Sequence, residues 1–293
     1  MEANTKLLSF LTPEDCVERV LVIEALHYLP ILRSRYPKAE LHAVTAQAEQ
    51  MEAEAWCGLS VEWKCLDYRE TPLPYAPKSF DAILAEKCVE ETANPQDMLS
   101  GLGGFIKDTG CLLTSFSNIR HWRILEQLMD GHYYPIVCRL YARPEFERLL
   151  YASFYKEAFF LPERRYGSDT FLKRLEGAGF SNRAGDLDTE TWLVQATRST
   201  RPIAFLKSHY TAEGRKRLST LLRRLAYGIE PEATTEALHA LCASEGFAPS
   251  YLARFAKETI VEPGPLFEEL AKTGEALWRE AEKAWQTLEK SPS

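Results

Sequence analysis

The feature that most constrains this chain is an alternation of short apolar runs with helix-length segments, sustained through its first 120 residues. "RVLVIEA" (Arg19–Ala25) is apolar, β-branched and short, so it reads as a buried strand. "LPILRSRY" follows with Leu29, Leu32 and Tyr36 at helical spacing, and Pro37 and Lys38 close it. "AELHAVT" is a second strand, "AQAEQMEAEAWCG" a second helix ended by Gly58, and "SVEWKCLD" a third strand. "SFDAILAEK" is a fourth, a helix spans about Pro95 to Ile106, and "DTGCLLTSFS" is a turn leading into a fifth. Parallel strands need helical crossovers, so this rhythm predicts an α/β fold: a Rossmann-like, doubly wound, mainly parallel sheet. Residues 118 to 165 read as mostly helical and rich in aromatics. "SDTFLKRLEGAGF" is a capped helix ending on Gly177 and Gly179, and "TETWLVQATR" is a last strand, suited to an antiparallel edge.

After Arg201 no convincing strand remains. Leu218, Leu221, Leu222 and Leu225 share one helix face, and Leu266, Leu270, Leu277, Trp278, Ala281, Trp285 and Leu288 stripe a long final helix. The expected organisation is therefore an α/β domain over residues 1–200 and a helical C-terminal appendage of about four helices over 201–293. The appendage carries a basic cluster, Arg215, Lys216, Arg217, Arg223 and Arg224, which reads as the wet side of a helix. It holds thirteen basic and thirteen acidic residues in all, so it is no basic module.

At 293 residues the chain can bury a large core, and 45% hydrophobic with 26% charged residues is ordinary for a globular protein. A net charge of −7 argues against nucleic acid as a partner. No window reaches the roughly 18 consecutive apolar residues of a membrane span. "MEANTKLLSFLTPEDC" does not read as a signal peptide. Seven cysteines include no CxxC pair, which predicts a reducing cytoplasm rather than a disulfide framework. No histidine has metal-ligand spacing, so no metal is expected. There is no GxSxG, P-loop, HExxH or dinucleotide GxGxxG.

"LDYRETPLPYAPKSFDAILAEKCVEETANPQDMLSGLGGFIKDTGCLLTSFSN", Leu66 to Asn118, carries a resemblance. Its order is an acid (Asp67), Leu73-Pro74, Ser79-Phe80-Asp81 opening a strand, Glu90-Glu91, a Pro-containing helix start, and Lys107-Asp108-Thr109-Gly110 before another strand. In these elements, and on to "FLKRLEGAGF" and "LDTETWLVQATR", the chain resembles the class I S-adenosylmethionine-dependent methyltransferases. It looks most like bacterial members associated with glycosyltransferases and cell-surface polysaccharides. The resemblance implies S-adenosylmethionine as cofactor and, in an active enzyme, O-methyl transfer to a small-molecule or saccharide acceptor. It places the cofactor over Glu24, Ala25, Leu26, Thr45, Asp67, Tyr68 and Glu86, with Asp67 on the adenine amino group. It places the acceptor near Asn118, His121, Trp122 and Tyr133, with His121 as the base that takes the hydroxyl proton.

The residues depart from that pattern where the cofactor's amino-acid tail belongs. The family turns beneath the cofactor on glycines, which admit close backbone approach and positive φ. Here Glu24, Ala25, Leu26, His27 and Tyr28 occupy the turn, and the first glycine of the chain is Gly58. Thr45 stands where an acid would hold the ribose hydroxyls. The residues alone leave other readings open: Asp67 as a turn cap, Glu86 in a structural ion pair, His121 as a packed histidine, and the aromatics of 139–166 as a lid or dimer surface. Three functional expectations follow. They are a methyltransferase with weakened or lost cofactor binding, a non-catalytic pseudo-methyltransferase that holds a protein partner through its helical tail, and a crevice with an altered ligand such as a nucleotide sugar.

Overall fold

The computed structural model describes residues 5–11, 17–56, 58–69, 72–132, 139–182 and 184–290. These form two compact units, residues 1–200 and 201–293.

The first unit is built on seven strands: β1 (Arg19–Ile23), β2 (Glu40–Thr45), β3 (Val61–Cys65), β4 (Phe80–Glu86), β5 (Ile106–Ser117), β6 (Glu157–Arg164) and β7 (Thr189–Thr197). Their order across the sheet is β3-β2-β1-β4-β5-β7-β6, and β7 alone runs against its neighbours. Alternate residues of the central strands supply two cores. Leu21, Ile23, Ile83, Leu112 and Phe116 face one side, and pack with Leu99 and Leu102 of α3 (Pro95–Phe105) and Phe146 and Leu150 of α5 (Arg143–Ala152). Val20, Val22, Ala82, Leu84 and Leu113 face the other, under Leu29 and Leu32 of α1 (Leu29–Arg35) and Leu7 and Leu8 of an N-terminal 3-10 turn. Burial on both faces explains why these strands are continuous apolar runs rather than alternating ones. Strand order reverses between β1 and β4, the switch point where ligands of such sheets lie.

Several expectations are corrected. The second helix shrinks to α2 (Ala48–Met51) and a 3-10 turn at Glu54–Trp56. Its glutamate-rich sequence has no apolar stripe, and α2 buries no residue, so tertiary packing adds little to hold it. Lys107 to Gly110 form no separate turn: β5 begins directly after α3 and takes them up as an irregularity, with Phe80 paired to Ile106 but Ala82 to Cys111. Gly110 fits because a Cβ there would lie 2.7 Å from the Asp81 carbonyl oxygen. Residues 118–165 are not all helical; α4 (Trp122–Met129) and α5 are followed by β6. That strand, not β7, is the sheet edge, and Pro162 within it is tolerated there because an edge strand need not donate from every N–H. α6 (Asp169–Gly177) leads into β7 as expected.

Residues 201–293 hold six helices among the described residues, not four: α7 (Arg201–His209), α8 (Ala212–Ala226), α9 (Pro231–Glu245), α10 (Pro249–Thr259), α11 (Pro263–Lys272) and α12 (Ala276–Lys290). Pro231, Pro249 and Pro263 each begin a helix, where a missing N–H is harmless. The long final stripe belongs to two helices, separated around Gly274 at φ +86°. Leu218, Leu222, Leu238, Tyr251, Phe255, Phe267 and Trp278 fill their core. In the basic cluster Lys216, Arg217 and Arg223 are exposed, as expected of the wet side of a helix. Arg215 donates to the carbonyls of Lys207 and Tyr210, Arg217 pairs with Glu213, and Arg224 pairs with Glu230. No helix among the described residues is long and apolar enough to cross a membrane, and they contain no His/Cys/Asp/Glu group able to hold a metal ion.

Candidate functional site

The carboxyl ends of β1, β2 and β4 bring together most of the residues expected around a cofactor. Glu24 follows β1 with φ +56°, the left-handed region in which glycine is at ease and other residues are strained by about 1–2 kcal/mol. Its N–H donates to the Val44 carbonyl at 2.9 Å. Its carboxylate crosses to the end of β2, accepting from the Thr45 hydroxyl at 3.0 Å and the Ala46 N–H at 2.7 Å. Thr45 is buried, and its hydroxyl oxygen in turn accepts from the Gln47 N–H at 3.1 Å.

Beyond Glu24 the chain tightens into a 3-10 turn, Leu26–Tyr28, in place of an open glycine loop. Ala25, Leu26 and Tyr28 are all buried, and Tyr28 is wholly enclosed. Glu86 closes the neighbouring strand end, with the His27 Nε2 at 3.3 Å from its carboxylate. Burial first, then the Glu86 charge, push the Tyr28 phenol well above its ordinary value. Cys88 lies under the same ends, its sulfur 3.6 Å from the Ile23 carbonyl oxygen, and burial pushes its thiol up to about 12. A thiol held protonated is a packing group rather than a nucleophile. Tyr68 is half-buried against it, its phenol raised chiefly by burial.

Asp67 is engaged within its own turn. Arg69 grips it with Nε at 2.9 Å and Nη2 at 3.3 Å, while the Arg69 N–H donates to the same carboxylate at 3.0 Å. These bonds hold the Asp67 carboxyl below the usual range. Arg69 also reaches Glu91 at 3.4 Å.

The residues expected around an acceptor sit after β5 and serve the packing there. The Asn118 amide donates to the carbonyls of Asp186 at 2.7 Å and Thr189 at 2.8 Å, and its oxygen accepts from the Arg120 N–H. His121 is 1% exposed, with Nε2 3.3 Å from the Arg165 carbonyl oxygen, and burial lowers its pKa. Trp122 donates to that same carbonyl at 2.9 Å and lies over Gly167, where a Cβ would meet the indole at 3.0 Å. Tyr133 lies outside the described residues. The sequence did not single out Glu90 as a site residue: it is buried, accepts from the Ser117 N–H, and burial raises its carboxyl.

A seven-stranded sheet in the order 3-2-1-4-5-7-6, with strand seven alone reversed, decides the architecture. The fold is that of the class I methyltransferases. No protein-family profile matches the sequence, and no curated protein does. Among solved structures, the [4+2]-cyclase SpnF is similar with a TM-score of 0.47 and 21% identity, over 67% of this chain and 80% of that one. A possible histamine N-methyltransferase from Thermotoga maritima gives 0.46 and 14%, over 67% and 88%. A methyltransferase from Archaeoglobus fulgidus gives 0.47 and 14%, over 66% and 91%. At the switch point of this sheet the strand ends are lined by side chains that bond to one another.

Proposed function

We propose that this chain is a pseudo-methyltransferase: a class I methyltransferase-like protein that has lost tight binding of S-adenosylmethionine and serves as a scaffold for a protein partner. S-adenosylmethionine is the cofactor this fold suggests, and the residues present do not fit it in the pose that the resemblance implies. The observation that carries the reading is the Glu24 carboxylate, which spans from the end of β1 to Thr45 and Ala46. It uses the groups at the end of β2 that would face the ribose. Leu26 and Tyr28 fill the turn with buried side chains, and Asp67 is already held by Arg69. Each displaced charge-assisted hydrogen bond removes about 1.5–3 kcal/mol from a ligand's affinity. Buried His121, tied to Arg165, is poorly placed to take an acceptor's proton, so O-methyl transfer to a saccharide gains no support from its surroundings. The cysteine usage favours the cytoplasm as its setting.

Calorimetry of the full chain with S-adenosylmethionine and S-adenosylhomocysteine tests this, with Asp67→Ala as control. The expected result is no heat at near-millimolar ligand. Micromolar binding that Asp67→Ala weakens would overturn the reading and restore the search for a hydroxyl acceptor.

A further inference from the structure

Among the described residues the crossover from β3 to β4 contains no helix. Its residues 72–79 form a strap, mostly exposed and carrying Pro72, Pro74 and Pro77, with Leu73 and Tyr75 packed onto the core beneath. The Tyr75 ring stands edge-on to Phe80 of β4 at 4.9 Å and to His42 of β2 at 5.6 Å. Its hydroxyl is buried and has no hydrogen-bond partner among the described residues, so this side chain holds by ring packing.

His42 is 3% exposed, and charged groups from three strands face it. Arg19 of β1 brings Nη2 to 3.3 Å from the His42 Nε2, and its guanidinium lies 5.4 Å from the centre of the Phe80 ring. Glu40 of β2 holds Arg19 at 2.9 Å and stands 3.9 Å from the same Nε2. Glu62 of β3 lies 3.4 Å from Nδ1 and 3.4 Å from Lys64. A guanidinium has donors and no acceptor, so the Arg19 contact exists only while Nε2 offers its lone pair. The single ring proton therefore belongs on Nδ1, towards Glu62. A second proton, on Nε2, would set two donors against each other. Burial, ahead of any neighbour, already lowers the affinity of His42 for that proton.

We propose that His42 is a proton-operated clasp on the strap: a proton taken up at Nε2 turns Arg19 aside, draws the ring towards Glu40 and frees Tyr75 with residues 72–79. The clasp does not depend on whether the strand ends bind a cofactor.

Hydrogen exchange of the full chain tests it, read at the Tyr75 and Lys78 amides, which donate to the Leu73 and Gly104 carbonyls. Between about pH 7.5 and about pH 5.5, an open state whose imidazole titrates near about 6.5 gains about tenfold over a closed state that stays unprotonated. Exchange at these two amides, corrected for its intrinsic rate, should rise by that factor. His42→Gln, which keeps an amide oxygen for Arg19, should abolish the rise. Arg19→Gln, whose amide can turn its oxygen to the Nε2 proton, should shrink it while the His42 ring still titrates in the NMR spectrum. Circular dichroism checks that each variant folds; should His42→Gln fail, Arg19→Gln at its half-buried position carries the test. A wild type without the rise overturns the proposal, as does a rise that persists in His42→Gln or keeps its full size in Arg19→Gln. A rise shared by the amides of β4 marks global opening and overturns it too.

Discussion

The Glu24 carboxylate accepts a hydrogen bond from the Thr45 hydroxyl at 3.0 Å, tying the loop after β1 to the end of β2. With the Ala46 N–H as second donor, this contact offsets the left-handed conformation that Glu24 adopts. Glu24→Ala keeps the strained backbone and loses both bonds, so it should destabilise by about 2 kcal/mol. Glu24→Gly loses the bonds but relieves φ, and should fall short of wild type by about 1 kcal/mol less than the alanine variant. Urea midpoints at constant slope give both numbers. Equal losses would show that the conformation at residue 24 costs nothing.

Tyr28 fills the turn by volume. Tyr28→Ala should cost about 3–5 kcal/mol, the range for deleting a large buried ring. Tyr28→Phe removes a buried hydroxyl set beside a carboxylate, and should lie within about 1 kcal/mol of wild type. A large loss for the phenylalanine variant in thermal unfolding would mean the hydroxyl is a working hydrogen-bond donor.

Thiol reactivity should separate the described cysteines. Cys65 is exposed, whereas Cys88 and Cys242 are buried with thiols raised to about 12. Iodoacetamide at mildly alkaline pH, followed by peptide mass mapping, should label Cys65 first and leave Cys88 and Cys242 unmodified until unfolding. Rapid labelling of Cys88 in the native protein would mean that the strand ends open readily.

Acid should weaken the fold through its buried histidines. His42 and His121 both have pKa values lowered chiefly by burial, so the unfolded chain binds protons at these sites more readily than the folded one. Their contribution is fully present above the unfolded value of about 6.5 and is lost as pH falls below it. Glu90 has the opposite sign, since its raised carboxyl favours the folded state at lower pH. Stability should therefore start to drop below about pH 6.5, and His42→Gln with His121→Gln should flatten that limb. Urea midpoints across pH provide the check; an unchanged limb in the double variant would assign it to other groups.

The central strands were legible because both faces of β1, β2, β4 and β5 are buried, which leaves an unbroken apolar run in the sequence. β6 was not legible, because its exposed Phe159 and Leu161 joined a string of aromatics and Pro162 argued against a strand. The edge position that makes Pro162 tolerable is a fact of the sheet rather than of the segment. The absent glycines at residues 24, 26 and 28 were plain in the sequence. What replaced them was not: that Glu24 would keep the glycine-like backbone and send its carboxylate across to β2 depends on two strands lying side by side. The clasp at His42 was hidden for the same reason, since Arg19, His42 and Tyr75 are distant in sequence.

Glu24 also bears on how readily the chain could regain an open turn. A glutamate codon becomes a glycine codon through a single base change, and the backbone at residue 24 already holds the conformation that glycine would take. Leu26 and Tyr28 each stand more than one base from glycine, and each intermediate would hollow out a packed turn. The easy step alone removes a tie between β1 and β2 and opens nothing. The harder steps lower stability before any ligand can compensate. The closed turn is thus steep to leave: only the step at residue 24 is a single base, and that step opens no space.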